Sequence, residues 1–318
     1  KLEAPVTTDV FGYTICKGGF WSQGPALLIA LNIAEAAGIG AMEPGSETYL
    51  HTLAESIKLA FDDRNAYFGD PDFAKVPAKA LLSKAYAAQR AKLIGPRASL
   101  EHRYGDPWAM EGGKRPTPVF TPHMLKKPPV PTADTTAIEV VDRHGNLFSC
   151  TPSSGWMLGG AYIAGDTGVP MSNRMTVFDL DPESPNVLAP GKRPRTTLSP
   201  SMVMKDGAPY LAIGTPGGQG IWQTVPQALM NIIDFDMNIQ EAIEAPRFVD
   251  TPGGSELRME GRIPVEVREL LSDRGHEIEV LDDYTNIVGG MNGIMIHPES
   301  NALMGGADPR RDGYAIGW

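Results

Sequence analysis

The spacing of apolar residues before residue 96 differs from the spacing directly after Thr135, and that difference limits the folds that the sequence can adopt. Before residue 96 the apolar residues recur at three- and four-residue steps, for example from Leu50 to Phe61, which indicates helices with one buried face. Directly after Thr135 they occur in short alternating runs between turn residues, which indicates antiparallel strands. Because strands and helices do not alternate one by one, the order favours a layered α+β fold over a doubly wound parallel sheet.

Three helices are predicted in the first third of the chain. An apolar run from Ala26 to Ala37 ends at Gly38, and Ser46 is placed to cap the next helix. A further helix is predicted from Leu81 to Ile94, where Gly95-Pro96 would end it. The first third of the sequence is therefore expected to be helical.

The segment from Pro96 to Pro131 differs in composition from the rest of the chain. It is rich in proline, glycine and charged residues, and it has neither helical nor strand periodicity. Such a segment is predicted to be a long loop or linker. Two interpretations remain open, a disordered spacer between domains and a mobile arm that is accessible to cleavage.

Hairpins and helices follow one another after Thr135. The predicted strand pairs are Thr136 to Asp142 with Asn146 to Thr151, Ser201 to Met204 with Pro209 to Ile213, and a last hairpin within Gly293 to Met304. The predicted helices run from Ile221 to Ile233, from Ile239 to Ala245 with Asn238 as its cap, and from Val265 to Arg274. Sheets stacked face to face and covered by helices would accommodate this order.

The composition argues against several classes of partner. The 318 residues carry a net charge of -10 at pH 7 and have a pI near 5.1, which argues against nucleic acid because phosphate contacts need clustered Lys and Arg. No apolar run approaches the ~20 residues that cross a bilayer, so no membrane partner is expected, and Lys1 does not open a secretory signal. The compartment stays open, with the cytoplasm slightly favoured over the periplasm or secretion.

Metal and cofactor sites are not predicted. The two cysteines, Cys16 and Cys150, form no CxxC pair, which argues against a zinc knuckle and against a disulfide scaffold. The six histidines are spread singly, without an HExxH or HxH pattern. We therefore expect no metal and no cofactor.

The segment Asp134-Thr135-Thr136, directly before a predicted strand, is the first candidate for chemistry. Cleavage of the Asp134–Thr135 bond would give Thr135 a free α-amine with a reference pKa of roughly 8, which suits a base for its own hydroxyl. Gly217-Gly218, at a predicted strand-to-helix turn, would let backbone N–H groups approach an oxyanion. Both patterns also have an ordinary interpretation, since threonine favours strands and paired glycines favour tight turns.

Several motifs occur in a specific order along the chain. They are Thr135-Thr136 with the hairpin that follows, Gly191-Lys192-Arg193-Pro194 leading into Thr196-Thr197-Leu198-Ser199-Pro200, Pro216-Gly217-Gly218, Glu244-Ala245-Pro246-Arg247-Phe248, and Gly306-Ala307-Asp308-Pro309-Arg310. Together they resemble the γ-glutamyltranspeptidase family of N-terminal-nucleophile (Ntn) hydrolases. Upstream, Ala54-Glu55, Asp63-Arg64 and Gly69-Asp70-Pro71-Asp72-Phe73 resemble the end of that family's large subunit. The resemblance extends over nearly the whole chain.

The resemblance implies a fold and a maturation step. The implied fold is the four-layer αββα sandwich of Ntn hydrolases, formed as one domain by two subunits that stay associated after the precursor cuts itself. Residues 1–134 would be the C-terminal part of the large subunit, with a Pro-rich mobile tail from about residue 96 to 134. Residues 135–318 would be the small subunit. The implied assembly is a heterodimer, alone or in a pair of heterodimers.

The resemblance also implies roles for individual residues. Thr135 would be the nucleophile, Ser153 a second hydroxyl that supports it, Thr196-Thr197 the contacts of the substrate carboxylate, and Gly217-Gly218 the oxyanion hole. In the family, an arginine upstream of the position of Lys1 clamps the same carboxylate. The pocket formed by this sequence alone is therefore expected to be incomplete.

Three positions depart from the glutathione-cleaving members of that family. Arg174 and Val177 stand where those members have a glutamine and an acidic residue that hold the α-amino group of the donor, and Gly155 replaces an asparagine. A cation and an alkyl group do not bind an ammonium, whereas the planar guanidinium of Arg174 matches a carboxylate. An anionic acyl donor is therefore favoured, with Arg174 and Gly155 at the substrate. An exposed or purely structural Arg174 is the alternative.

These observations predict a self-processing Ntn amidohydrolase that cleaves an amide bond of a small carboxylate-bearing substrate through a threonyl acyl-enzyme. One alternative is a true γ-glutamyl transpeptidase or hydrolase acting on glutathione-like donors. The other is an unprocessed homologue that binds but does not catalyse. The three hypotheses differ in whether Thr135 becomes a chain terminus and in which donor is cleaved.

Overall fold

The computed structural model describes residues 2–113, 135–155, 159–250 and 256–318. Helices and strands both contribute to the described part of the chain, in agreement with the expected α+β class. The strands are β1 (Val6–Val10), β2 (Tyr13–Lys17), β3 (Ile138–Val141), β4 (Leu147–Cys150), β5 (Ser201–Lys205), β6 (Ala208–Gly214), β7 (Phe248–Asp250), β8 (Glu256–Glu260), β9 (Glu277–Leu281), β10 (Asn292–Ile296) and β11 (Leu303–Ala307). The helices are α1 (Gly24–Ala36), α2 (Glu47–Tyr67), α3 (Ala78–Leu81), α4 (Lys84–Ala91), α5 (Trp108–Glu111), α6 (Ile221–Asp234), α7 (Ile239–Glu244) and α8 (Val265–Asp273).

Six strands form the central sheet, in the order β1-β2-β5-β6-β10-β11, and every neighbouring pair is antiparallel. The N-terminal hairpin joins the rest of this sheet through β5, where Ile15 lies opposite Val203. Strand β6 then pairs with β10, with Gly214 opposite Asn292. The segments before and after Thr135 therefore share one sheet and one core. Two smaller sheets are the β3–β4 hairpin and β7-β8-β9, in which β8 and β9 are parallel.

Different layers cover the two faces of the six-stranded sheet. Helices α1, α6 and α7 pack on one face, where a side chain at Gly293 would meet Ile239 of α7. The β3–β4 hairpin packs on β6 and β10 at the other face, where Gly214 lies against Ala137 and Glu139. Side chains of successive strand residues point to opposite faces, so Ile213 points toward the helices and Gly214 toward the hairpin. This sheet-on-sheet contact positions the residues predicted to be catalytic.

Helix α1 lies in the centre of the helical layer. It contacts α2, α4, α6 and the β1–β2 hairpin, which explains why its apolar residues are not confined to one face. Its buried Asn32 accepts a hydrogen bond from Thr8 Oγ1 at 2.8 Å and one from Lys84 Nζ at 2.7 Å. In the described part of the chain, no helix combines the length and the apolar character needed for a membrane crossing.

The local predictions after Thr135 are confirmed. The first two hairpins and helices α6 to α8 form within one or two residues of the predicted bounds, and Asn238 caps α7 in a complete capping box. The last hairpin also forms, but its second strand continues to Ala307, three residues beyond the predicted end. The first third is not purely helical, since β1 and β2 were missed. The predicted helix from Leu81 to Ile94 is shorter, because Ser83 caps α4 and divides the segment. The segment from Pro96 contains the short helix α5.

A buried ion cluster explains two of the motifs that the sequence presents. Arg310 donates to both carboxylate oxygens of Glu260 and to Asp308, and Arg247 donates to the other oxygen of Asp308. Met291 N donates to that oxygen at 2.8 Å. Arg310 Nη1 also donates to the carbonyl of Ile243 at 3.0 Å, at the end of α7. The cluster therefore ties α7, β8 and the end of β11 together.

Removing one carboxylate from this cluster should be strongly destabilising. In Asp308→Ala, Arg247 and Arg310 would keep their buried charges without that partner, and we expect a loss of about 3–5 kcal/mol in the free energy of unfolding. Glu279→Ala is the matched control, because it breaks the partly exposed pair with Arg258; it should cost about 1 kcal/mol or less. Denaturant unfolding measures both, and equal losses would contradict the assignment.

Candidate active site

Thr135 lies at the open end of the β3–β4 hairpin. The hairpin register sets Ile138 opposite Cys150, and the same register continued outward sets Thr135 opposite Ser153, where the two form an antiparallel bridge. Their side chains point to the same side, with Thr135 Oγ1 and Ser153 Oγ joined by a hydrogen bond of 2.9 Å. Asp134 lies outside the described residues. The predicted nucleophile and its supporting hydroxyl are therefore adjacent.

Ser153 Oγ is the meeting point of three hydrogen bonds. Besides Thr135, the backbone N–H of Gly155 donates to it at 3.1 Å and Nη2 of Arg174 at 2.6 Å. The latter two groups only donate, whereas each hydroxyl both donates and accepts. Among the three bonds, the one between the two hydroxyls can therefore reverse its direction during a reaction.

Arg174 links the predicted nucleophile to the predicted substrate contacts. It begins a 3₁₀ turn, Arg174–Val177, and is half-buried. Nη2 donates to Ser153 Oγ at 2.6 Å, and Nη1 donates to Thr197 Oγ1 at 2.9 Å. The two Nη atoms of one guanidinium thus bind the hydroxyls of Ser153 and Thr197. The structure places Arg174 within the candidate site, between Ser153 and Thr197.

Gly155 makes this arrangement sterically feasible. Its φ is +96°, and a Cβ at this position would collide with Oδ1 of Asn173, the residue directly before Arg174. A side chain here would both strain the backbone and push the Arg174 turn away. Gly155 therefore contributes through close packing and through its N–H bond to Ser153.

Thr196 and Thr197 are buried next to the chain that leads into α1. Thr196 forms a parallel bridge with Ser22, in which Gln23 N donates to Thr196 O at 2.9 Å and Thr196 N donates to Trp21 O at 3.0 Å. This pairing leaves Thr197 Oγ1 in contact with Arg174. The Thr196-Thr197 pair is thus held by residues that precede Thr135 in sequence.

Gly217 and Gly218 form the turn between β6 and α6, as predicted. Gly217 has a φ of +131° and Gly218 a φ of +57°, which favour glycine at both positions. A Cβ on Gly218 would meet nothing within 4 Å, so its backbone is approachable. Thr215 braces the turn, since its Oγ1 donates to Pro216 O at 2.8 Å and accepts from Gly290 N at 3.0 Å.

Gln23 is a site residue that the sequence did not reveal. It is fully buried, and its Nε2 donates to Thr197 O at 2.5 Å and to Gly218 O at 2.8 Å. No local pattern marks it, because both partners lie far away in sequence. The candidate site is therefore connected from Thr135 through Ser153, Arg174, Thr197 and Gln23 to the glycine turn.

Glu139 is a second residue that the sequence did not reveal. It lies on β3, its side chain packs against Gly214, and it accepts a hydrogen bond from Ser149 Oγ at 3.1 Å. Loss of solvation between the two sheets raises the pKa of this carboxyl to about 8. The group is therefore largely protonated at neutral pH.

Among the described residues, no three His, Cys, Asp or Glu side chains converge to hold a metal ion.

The protonation of Glu139 should make folding stability depend on pH. The folded protein keeps a proton that the unfolded chain releases above its ordinary pKa of 4.5, so this stabilisation is complete below that pH and is lost as the pH rises to about 8. Glu139→Gln removes the titration. Between about pH 5 and 8, unfolding free energies of the wild type should fall relative to the variant by up to about 1.4 kcal/mol per pH unit. The exposed control Glu183→Gln should follow the wild type, and parallel curves for wild type and Glu139→Gln would contradict the prediction.

Comparison with known sequences identifies relatives over the whole chain. A family model described as gamma-glutamyltranspeptidase matches residues 1–318. The glutathione hydrolase-like YwrD proenzyme of Bacillus subtilis is 38% identical over 321 residues, covering 100% of this chain and 56% of that protein. The acylase ACY 1 proenzyme of Pseudomonas sp. strain V22 is 37% identical over 317 residues, covering 99% and 52%. The chain spans about half the length of these relatives.

Solved structures give the same result. Cephalosporin acylase from Bacillus halodurans superimposes with a TM-score of 0.83 at 31% identity, covering 99% of this chain and 53% of that chain. A chain of the gamma-glutamyltranspeptidase from Pseudomonas nitroreducens superimposes with a TM-score of 0.51 at 27% identity. The match covers 58% of this chain and 100% of that chain. The relatives are enzymes with named hydrolase, acylase or transpeptidase activities, and those found by sequence are proenzymes.

Proposed function

The chain belongs to the γ-glutamyltranspeptidase family, and from this membership we propose that it is an Ntn amidohydrolase whose nucleophile is Thr135. The observation that carries the proposal is the Thr135–Ser153–Arg174–Thr197 chain of hydrogen bonds, which joins the predicted nucleophile to the predicted substrate contacts. Sequence order alone does not require these four residues to meet.

Cleavage between Asp134 and Thr135 is part of the proposal. The sequence relatives are proenzymes. Residues 135–318 are 184 of the 318 residues, or 58%, which equals the share of this chain that matches the whole of the separate Pseudomonas nitroreducens chain. After cleavage, residues 1–134 and 135–318 would stay together as a heterodimer, alone or in pairs, because β1, β2, β5 and β6 share one sheet. The helix, sheet and hairpin layers would belong to one αββα sandwich.

The proposed reaction takes both the nucleophile and its base from Thr135. The free amine of Thr135 accepts the proton of Thr135 Oγ1, directly or through one water, while the oxygen attacks the amide carbonyl of the substrate. Backbone N–H groups of Gly217-Gly218 would stabilise the resulting oxyanion. The leaving amine takes the proton and departs, and water then hydrolyses the threonyl ester to release the acid and regenerate the enzyme.

Replacing the nucleophile tests processing and turnover together. Thr135→Val keeps the shape of the side chain but removes the hydroxyl, so we expect one uncut polypeptide by intact mass and amidase activity at background. Thr136→Val is the matched control, since Thr136 is an exposed threonine at the next position; it should give two polypeptides and normal turnover. Processing or turnover in Thr135→Val would contradict the assignment, and an uncut, inactive wild type would support a binding homologue.

We propose further that the acyl donor carries a carboxylate near the scissile amide. The Arg174 guanidinium is half-buried between Ser153 and Thr197, where a planar, permanently charged group can bind a carboxylate with two parallel hydrogen bonds. The same guanidinium would repel the ammonium of a γ-glutamyl donor. This supports a small anionic amide over a glutathione-like donor.

Arg174 should decide between anionic and neutral donors. In Arg174→Met, kcat/KM for a carboxylate-bearing amide should fall about 10- to 100-fold more than for a neutral amide of the same size, since a charged hydrogen bond contributes about 1.5–3 kcal/mol. Arg143→Met, at an exposed turn residue, is the control and should change neither value.

Equal losses for both amides in Arg174→Met would show that Arg174 is structural.

The second candidate function is glutathione-type hydrolysis or transfer, which the name of the Bacillus subtilis relative favours. In the same assays, faster cleavage of a γ-glutamyl anilide than of the anionic amides by the wild type would support that candidate.

A further inference from the structure

Gln23 connects the two loops that the proposed reaction uses. Its side-chain Nε2 donates one hydrogen bond to the carbonyl of Thr197 and another to the carbonyl of Gly218. Thr197 lies in the loop that Arg174 contacts, and Gly218 lies in the glycine turn. The side chain is 0% exposed, so water does not compete for either bond.

The chemistry of both contacts requires an amide at this position. The two partners are carbonyl oxygens, which only accept, and the NH₂ group of glutamine supplies two donors on one atom. A glutamate of the same shape would set a carboxylate against both carbonyls, and a methionine would donate nothing. Burial makes the loss of either bond costly, because the carbonyl would then have neither that partner nor water.

The backbone around Gln23 is itself fixed. Gln23 N donates to Thr196 O at 2.9 Å, and Ala26 N donates to Gln23 O at 3.1 Å as α1 begins. The side chain therefore extends from a rigid point, the junction of α1 and the Thr196 bridge, rather than from a loose loop. Such a residue can set a distance between two loops instead of merely filling space.

We propose that Gln23 is a positioning residue that holds the Thr197 loop and the Gly217-Gly218 turn at a fixed separation, so that the bound acyl group and the oxyanion donors stay in register. The role rests on the proposed function. Gln23 precedes Thr135, so after cleavage it would lie on the other polypeptide. The pocket of the small subunit would then depend on a side chain of the large subunit. Catalysis would therefore require the two polypeptides to stay associated.

The test compares two buried glutamines in the full-length protein. Gln227 is the matched control, because its Nε2 also donates to two backbone carbonyls, those of Gln223 at 2.9 Å and Phe248 at 2.8 Å, away from the site residues described above. Gln23→Met, Gln23→Glu and Gln227→Met are compared for kcat and KM on the best amide substrate. Hydrogen–deuterium exchange of residues 196–199 and 215–220 is followed in the same samples.

We expect the Gln23 variants to lose about 100-fold in kcat with KM changed less than about threefold, because small displacements of reacting groups act on the chemical step. Both loops should exchange faster in these variants. Gln227→Met should retain kcat within about threefold and leave exchange in the two loops unchanged. Unchanged exchange in the Gln23 variants, or faster exchange with unchanged kcat, would overturn the proposal.

The exchange result separates this inference from the proposed function. If the wild type cleaves none of the amides tested, the amidohydrolase assignment fails, while exchange in the two loops still decides whether Gln23 holds them together. If the Gln23 variants lose processing as well as turnover, the processed fraction is isolated and treated with an activated ester that acylates Thr135. The rate of this acylation reports on the alignment of the cleaved site, independently of the amount of uncut protein. Normal acylation by the ester with slow amide turnover supports positioning, and equal loss of both with normal exchange contradicts it.

Discussion

The packing of the β3–β4 hairpin on strands β6 and β10 is the contact on which the rest of the site depends. Gly214 has no side chain, so the hairpin can approach β6 closely, and Asn292 of β10 donates to the carbonyl of Ala137 at 3.1 Å. Strand β3 follows Thr135 and β6 leads into the Gly217-Gly218 turn. One sheet-on-sheet contact therefore sets the position of the proposed nucleophile, Thr135, relative to the Gly217-Gly218 turn.

Buried polar groups stabilise this contact and the elements around it. The Arg310 cluster joins α7, β8 and the end of β11, and Glu139 occupies the space between the two sheets in its neutral form. Each of these groups would be costly to bury without a partner or without neutralisation. Hydrogen bonds in the Arg310 cluster and the raised pKa of Glu139 offset that cost.

Arg174 and Gln23 show how specificity and geometry can be divided between two side chains. Arg174 holds Ser153 and Thr197 with a permanent charge, which suits recognition of an anion. Gln23 holds Thr197 and Gly218 with a neutral amide, which adds no charge to a pocket where an oxyanion is expected to form. The first residue would select the donor, and the second would keep the loops aligned.

The sequence by itself determined the hairpins after Thr135, helices α6 to α8 and the glycine turn, because alternation, capping and turn signals act over a few residues. It also pointed to Thr135, Ser153, Arg174 and Thr197, but not to their contact. Only the tertiary structure decided that β1 and β2 join the central sheet and that Gln23 reaches partners 174 and 195 residues away. Such contacts depend on how distant segments pack, and local periodicity carries no signal for that packing.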